Sequence, residues 1–104
     1  MVKEEKTMNY ENLLNAIRED FNRNEYKYLN RDWIVIEGRK YAKIVSTEDG
    51  KQYSAWGFVQ LQDDKKFKAG DILKSASWAT PARNFARGNV ISEQFGDIRY
   101  TGAM

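Results

Sequence analysis

The spacing of apolar residues changes once along this chain, near Arg31, and that change constrains the fold more than any other feature. Before it, "MNYENLLNAIREDF" sets Tyr10, Leu13, Leu14, Ile17 and Phe21 at helical spacing, which gives one apolar stripe. Asn9 suits the N-cap, where its side-chain oxygen accepts from a free backbone N–H. Met8 and Leu13 take the two positions of a hydrophobic staple, and Glu11 lies in the first turn, where the helix dipole favours negative charge. After the change, "DWIVIEGRKYAKIVSTEDGKQYSAWGFVQLQ" reads as three strands separated by two turns.

The first turn, Glu37-Gly38-Arg39, is expected to be tight, with Gly38 at a positive φ. The second, Glu48-Asp49-Gly50-Lys51, carries the Asp-Gly pair favoured in hairpin loops. Strict alternation in the third strand puts Tyr53, Ala55, Gly57, Val59 and Leu61 on one face, and Gln52, Ser54, Trp56, Phe58 and Gln60 on the other. Gly57 inside that strand signals a bulge or a close backbone approach. A shorter strand is expected around Ile72 to Lys74 and another near Ile98 to Tyr100. The fold class that follows is α+β: an N-terminal helix packed on a curved antiparallel sheet of four to five strands, with a small open barrel as the close variant. Residues 1–104 make a single domain, with 1–6 a flexible lead-in.

Composition excludes more chemistry than it suggests. The 104 residues contain no cysteine and no histidine. Disulfides and thiolate metal sites are ruled out, and the usual general base and commonest metal ligand are missing. No metal, cofactor or catalytic residue is therefore assigned, and the chain reads as non-enzymatic. Asp63-Asp64 and Glu4-Glu5 are adjacent carboxylates without a third partner, and read as solvated turn and tail charges. No phosphate-cradling loop or nucleophile motif is present. The formal charge is only +2, but it is uneven: residues 1–25 carry four basic and six acidic side chains, and residues 26–104 carry thirteen and nine. No apolar run reaches the roughly 20 residues of a membrane span, and the start lacks a signal-peptide apolar region, so a cytoplasmic protein is expected.

The stretch "SWATPARNFARGN" interrupts the strand pattern with the only proline. Thr80 as cap, Pro81 at the first helical position and Gly88 as terminator predict a short helix over 81–87. On it Arg83 and Arg87 would be an i, i+4 pair on one side, with Ala82, Phe85 and Ala86 docking on the other. Lys74, Arg83 and Arg87 are the only charged residues between 72 and 92, all positive. Either Asp71, Glu93 or Asp97 neutralises the arginines or they point into solvent, or they form an anion site suited to bidentate phosphate contact. Trp78 either covers the core or stacks a base. Trp56 is core if the N-terminal helix covers its face, and a stacking platform if that face is open.

The segment "KAGDILKSASWATPARNFARGNV" and the ending "IRYTGAM", with "KYAKIV" and "WGFV" upstream, resemble a group of small proteins of unknown function encoded by tailed bacteriophages. The pattern is carried by Gly70, Asp71, Lys74, Ala76, Ser77, Trp78, Pro81, Ala82, Arg87, Gly88 and Asn89. It covers roughly residues 33–102 and leaves the N-terminal helix unmatched. The resemblance implies a phage-type origin and expression in an infected bacterial cytosol, and brings no catalytic residues. The expected role is an accessory module that binds nucleic acid or another anionic ligand through Lys74, Trp78, Arg83, Arg87 and Trp56. The alternative is a protein-interaction module that acts on a host or phage protein.

Overall fold

The computed structural model describes residues 10–24, 30–96, 98–99 and 102–103. One helix, α1 (Tyr10–Asn24), precedes a four-stranded antiparallel sheet of β1 (Arg31–Glu37), β2 (Tyr41–Glu48), β3 (Lys51–Gln60) and β4 (Ile72–Lys74). The spatial order is β1-β2-β3-β4, so each strand pairs with its sequence neighbour and the sheet stays open. The expected C-terminal strand exists as β5 (Ile98–Arg99), but it pairs only with β6 (Gly102–Ala103) in a separate two-stranded ribbon. The staple and cap at Met8 and Asn9 fall outside the described residues.

The helical stripe does what its spacing requires. Leu13, Leu14, Ile17 and Phe21 are buried with Trp33, Ala42, Ile44, Val59, Ile72, Val90 and Ile98 in one core, and Tyr10 packs at its margin. Phe21 meets Trp33 edge-on, with ring centroids 5.6 Å apart. Tyr10 donates its hydroxyl to Glu37 at 3.1 Å. Burial, and then that carboxylate, push its phenol up to about 12. A second, smaller core of Phe58, Phe67 and Leu73, with Tyr41 and Ala86 against it, lies on the other face of the sheet. Adjacent residues such as Ile72 and Leu73 enter different cores because successive strand side chains point to opposite faces.

Both hairpins form. In the second, Asp49 and Gly50 both have positive φ, 54° and 81°, which is the twist a two-residue hairpin loop needs. The first corrects the expectation for Gly38, which is not among the positive-φ glycines. Its N–H instead donates to the Tyr41 carbonyl at 2.8 Å to close the turn.

Strict alternation in β3 is also corrected. Ile44 pairs with Gly57 and Val45 with Ala55, so Trp56 is an extra residue in the ladder. That bulge moves Trp56 away from Phe58 and into the helix-side core, where its indole N–H donates to the Arg99 carbonyl at 2.7 Å. Gly57 is required at this place because a Cβ there would lie 2.8 Å from the Leu73 carbonyl oxygen on β4.

The short helix expected over 81–87 is absent. Residues 81–90 run beside β4 and give it the hydrogen bonds that a helix would have kept. The Ala82 N–H donates to Lys74 O, Arg87 N–H to Ile72 O, and Ile72 N–H to Gly88 O, at 2.7, 2.8 and 2.9 Å. Isolated bridges join Ser75 to Pro81 and Asp71 to Asn89. The outer edge of β4 would otherwise present unpaired backbone groups, and this requirement overrides a local helix signal. Proline without an N–H is tolerated in such an edge position.

Candidate anion-binding groove

Without the helix, Arg83 and Arg87 no longer share a side. Arg83 points to the loop after β3 and bonds Asp64 Oδ2 at 2.7 Å, the Tyr41 hydroxyl at 2.7 Å and Gln60 Oε1 at 3.4 Å. Its guanidinium also lies 4.7 Å from the Phe67 ring centroid. Asp64 in turn accepts the N–H groups of Phe67 and Lys66 and the side-chain amide of Gln60. Those two backbone donors, and then Arg83, hold the Asp64 carboxyl far below the usual carboxylate range. Asp63 accepts the Ala69 N–H. The two aspartates that read as solvated turn charges are therefore the pins of the 63–70 loop, and Arg83 clamps that loop to the sheet.

Arg87 is 7% exposed. It bonds Asn84 Oδ1 and the Phe85 carbonyl, and its guanidinium lies 3.9 Å from the Phe85 ring centroid. Trp56 is core, 3% exposed. Lys74 is exposed at the end of β4, where alternation turns it to the face opposite Leu73. Trp78 is 46% exposed, with the Lys43 ammonium 4.0 Å from its ring centroid. The five residues singled out in the sequence are thus not brought to one surface. Trp78 alone stands ready for a ligand beside a second cation.

Lys43 belongs to a cationic group outside the 72–92 segment. A groove of about 220 Å³ opens on the face away from α1, lined by Ile36, Arg39, Lys40, Tyr41, Lys43 and Phe58, together with Gly38 and Ala79. Among the described residues its charged lining is three cations and no carboxylate. A larger hollow of about 300 Å³ lies on the other side of Arg39 and Lys40, but there Asp63 and Asp64 balance the charge. The signal was available in "GRKYAK", three cations within five residues, but this stretch reads first as a turn and a strand start. The hairpin puts Arg39 and Lys40 at the turn, and strand alternation carries Lys43 to the same face as Tyr41.

Trp78 is set against Lys43, at the margin of this groove, by a tight backbone loop. The Ala76 and Ser77 N–H groups both donate to Thr80 O, at 2.9 and 3.1 Å, and Ser75 Oγ donates to Ser77 O at 2.8 Å. The indole is therefore presented at a loop tip against Lys43. A ring with one face near an ammonium and much of its surface in water can stack a planar group, while the three cations can meet its negative charges.

Fold and groove together define a small α+β protein with an open four-stranded antiparallel sheet and a basic, aromatic-edged hollow on its free face. The chain belongs to a family of unknown function (DUF7717), whose model matches residues 1–103. No curated protein and no solved structure matches it. Among the described residues, no helix is long and apolar enough to cross a membrane.

Proposed function

We propose that this protein is a non-enzymatic module that binds single-stranded nucleic acid, or a polyanion of like spacing, in the groove beside Trp78. The observation that carries the reading is the groove's lining of Arg39, Lys40 and Lys43, without a carboxylate among the described residues, next to an exposed tryptophan. Phosphates would meet the cations, and a base would stack on Trp78, a contact indifferent to base identity because every base has a π-face. A duplex hides its base faces, so the single strand is the better fit. The resemblance to tailed-phage proteins supports an accessory role in an infected bacterial cytosol.

Trp78 also provides the test. It is exposed, whereas Trp33 and Trp56 are buried, so a stacked base should quench the emission that iodide can reach. A short oligothymidylate at low salt is expected to quench it, and Lys43→Ala with Arg39→Ala should weaken that quenching by about tenfold or more while leaving the melting temperature unchanged. Quenching that persists in the double variant would remove the groove from the account. The exposed Trp78 and Phe85 also suit a second reading, docking onto a host or phage protein. That reading gains if no oligonucleotide binds.

A further inference from the structure

The two edges of the sheet are treated differently. The β4 edge is short and sealed by residues 81–90. The β1 edge is seven residues long, pairs with β2 without a register shift, and contains neither Pro nor Lys. Pro, Lys and bulges are among the devices that blunt an exposed edge; β1 has none of them, and its charges Arg31, Asp32 and Glu37 stand only at its ends. Ladder parity shows what it presents. Gly38 N–H donates to Tyr41 O, and Asp49 N–H to Asn30 O, so Asp32, Ile34 and Ile36 point their backbone groups at β2. Arg31, Trp33, Val35 and Glu37 point theirs outward. Among the described residues the one guard on this edge is Asp32, whose carboxylate takes the Trp33 N–H at 2.8 Å and is held by Arg18 at 2.9 Å. Ile34 and Ile36 are 38% and 40% exposed on the groove face. Among the described residues, the two buried side-chain nitrogens without a partner, Arg31 Nε and Trp33 Nε1, also belong to β1.

We infer that β1 pairs antiparallel with β1 of a second copy of this chain, about a two-fold axis at Ile34. The sequence "RDWIVIE" is complementary to itself in that register. Arg31 falls opposite Glu37 of the second copy at both ends, and the outward-pointing Trp33 and Val35 become a hydrogen-bonded pair. Ile34 meets its own copy in the close, non-hydrogen-bonded position, where side chains approach most nearly. Opposite charge at both ends and an apolar centre favour this register over slips by two residues, which would lose the Arg31–Glu37 pairs. Glu37 already accepts from Tyr10, and Arg31 donates to Glu48; a carboxylate and a guanidinium each have capacity for more. For Trp33 N–H to pass to Val35 O of the second copy, the Asp32 carboxylate and the Arg18 guanidinium bonded to the same oxygen swing off the edge together. The result is a continuous eight-stranded sheet with both grooves opening on one side.

Sedimentation equilibrium of the full chain over a range of concentrations tests this directly. The expected result is a reversible species of twice the 12.2 kDa chain mass. Ile34→Lys sets two positive charges across the axis and should raise the dimer dissociation constant about tenfold or more, with an unchanged circular dichroism spectrum. Asp32→Ala removes the guard and should lower that constant. If Ile34→Lys fails to fold, Glu37→Arg opposes like charges at the ends and takes its place. A chain that stays monomeric throughout, or a dimer indifferent to these substitutions, overturns the inference.

Discussion

Arginine 83 shows how one residue's role depends on what the fold brings to it. Its partner Asp64 is nineteen positions away in sequence and meets it only because the loop after β3 folds back under the segment that follows β4. The same contacts that would have served a phosphate are spent on Asp64, Tyr41 and Gln60. The Asp64 carboxyl has a folded pKa well below the value of about 3.9 in an unfolded chain. A lowered carboxyl pKa contributes stability that is complete above the unfolded value and is lost as pH falls below it. Thermal melts from neutral pH down into strong acid should therefore show a steep loss below about pH 4. Asp64→Asn should be less stable than wild type at neutral pH and lose less on acidification. Parallel profiles for the two proteins would mean that the clamp contributes little.

The elements differ in how far they could be read from the sequence. The helix was legible because its stripe is uninterrupted and its burial needs no other information: Leu13 and Ile17 are fully buried where the spacing put them. Leu14→Ala is expected to cost about 2–5 kcal/mol in denaturant unfolding, the usual range for a buried leucine, and a loss well under 1 kcal/mol would make α1 peripheral. The Asp49-Gly50 hairpin was legible because its turn chemistry is local. The 81–90 segment was not. Thr80, Pro81 and Gly88 satisfy local helix rules, but the hydrogen bonds went to Ile72 and Lys74, a demand visible only once β4 is known to be an edge. Trp56 was misplaced for a related reason, since the bulge that turns it inward is a property of β3 paired with β2. Of the candidate groove, the exposed Trp78 drew attention in the sequence and the cations beside it did not, because charge next to a turn looks like ordinary solvated surface.

At the scale of the whole molecule, the sheet has one face closed by α1 and another only half covered. The second core fills the β3–β4 side, and the β1–β2 side is left to the groove and to Ile34 and Ile36. We propose that this uncovered part holds phosphates through Arg39, Lys40 and Lys43. The most direct test is the salt dependence of oligonucleotide binding, because each phosphate contact on a single strand contributes about −0.7 to the slope of log K against log salt. Three contacts per chain predict a slope of about −2, hence an affinity loss of about 15-fold between roughly 50 and 200 mM salt. In the same titration Arg83→Ala should keep that slope, and Arg39→Ala/Lys40→Ala/Lys43→Ala should bring it close to zero. An unchanged slope in the triple variant, or no binding by the wild type at the lowest salt, would contradict the account.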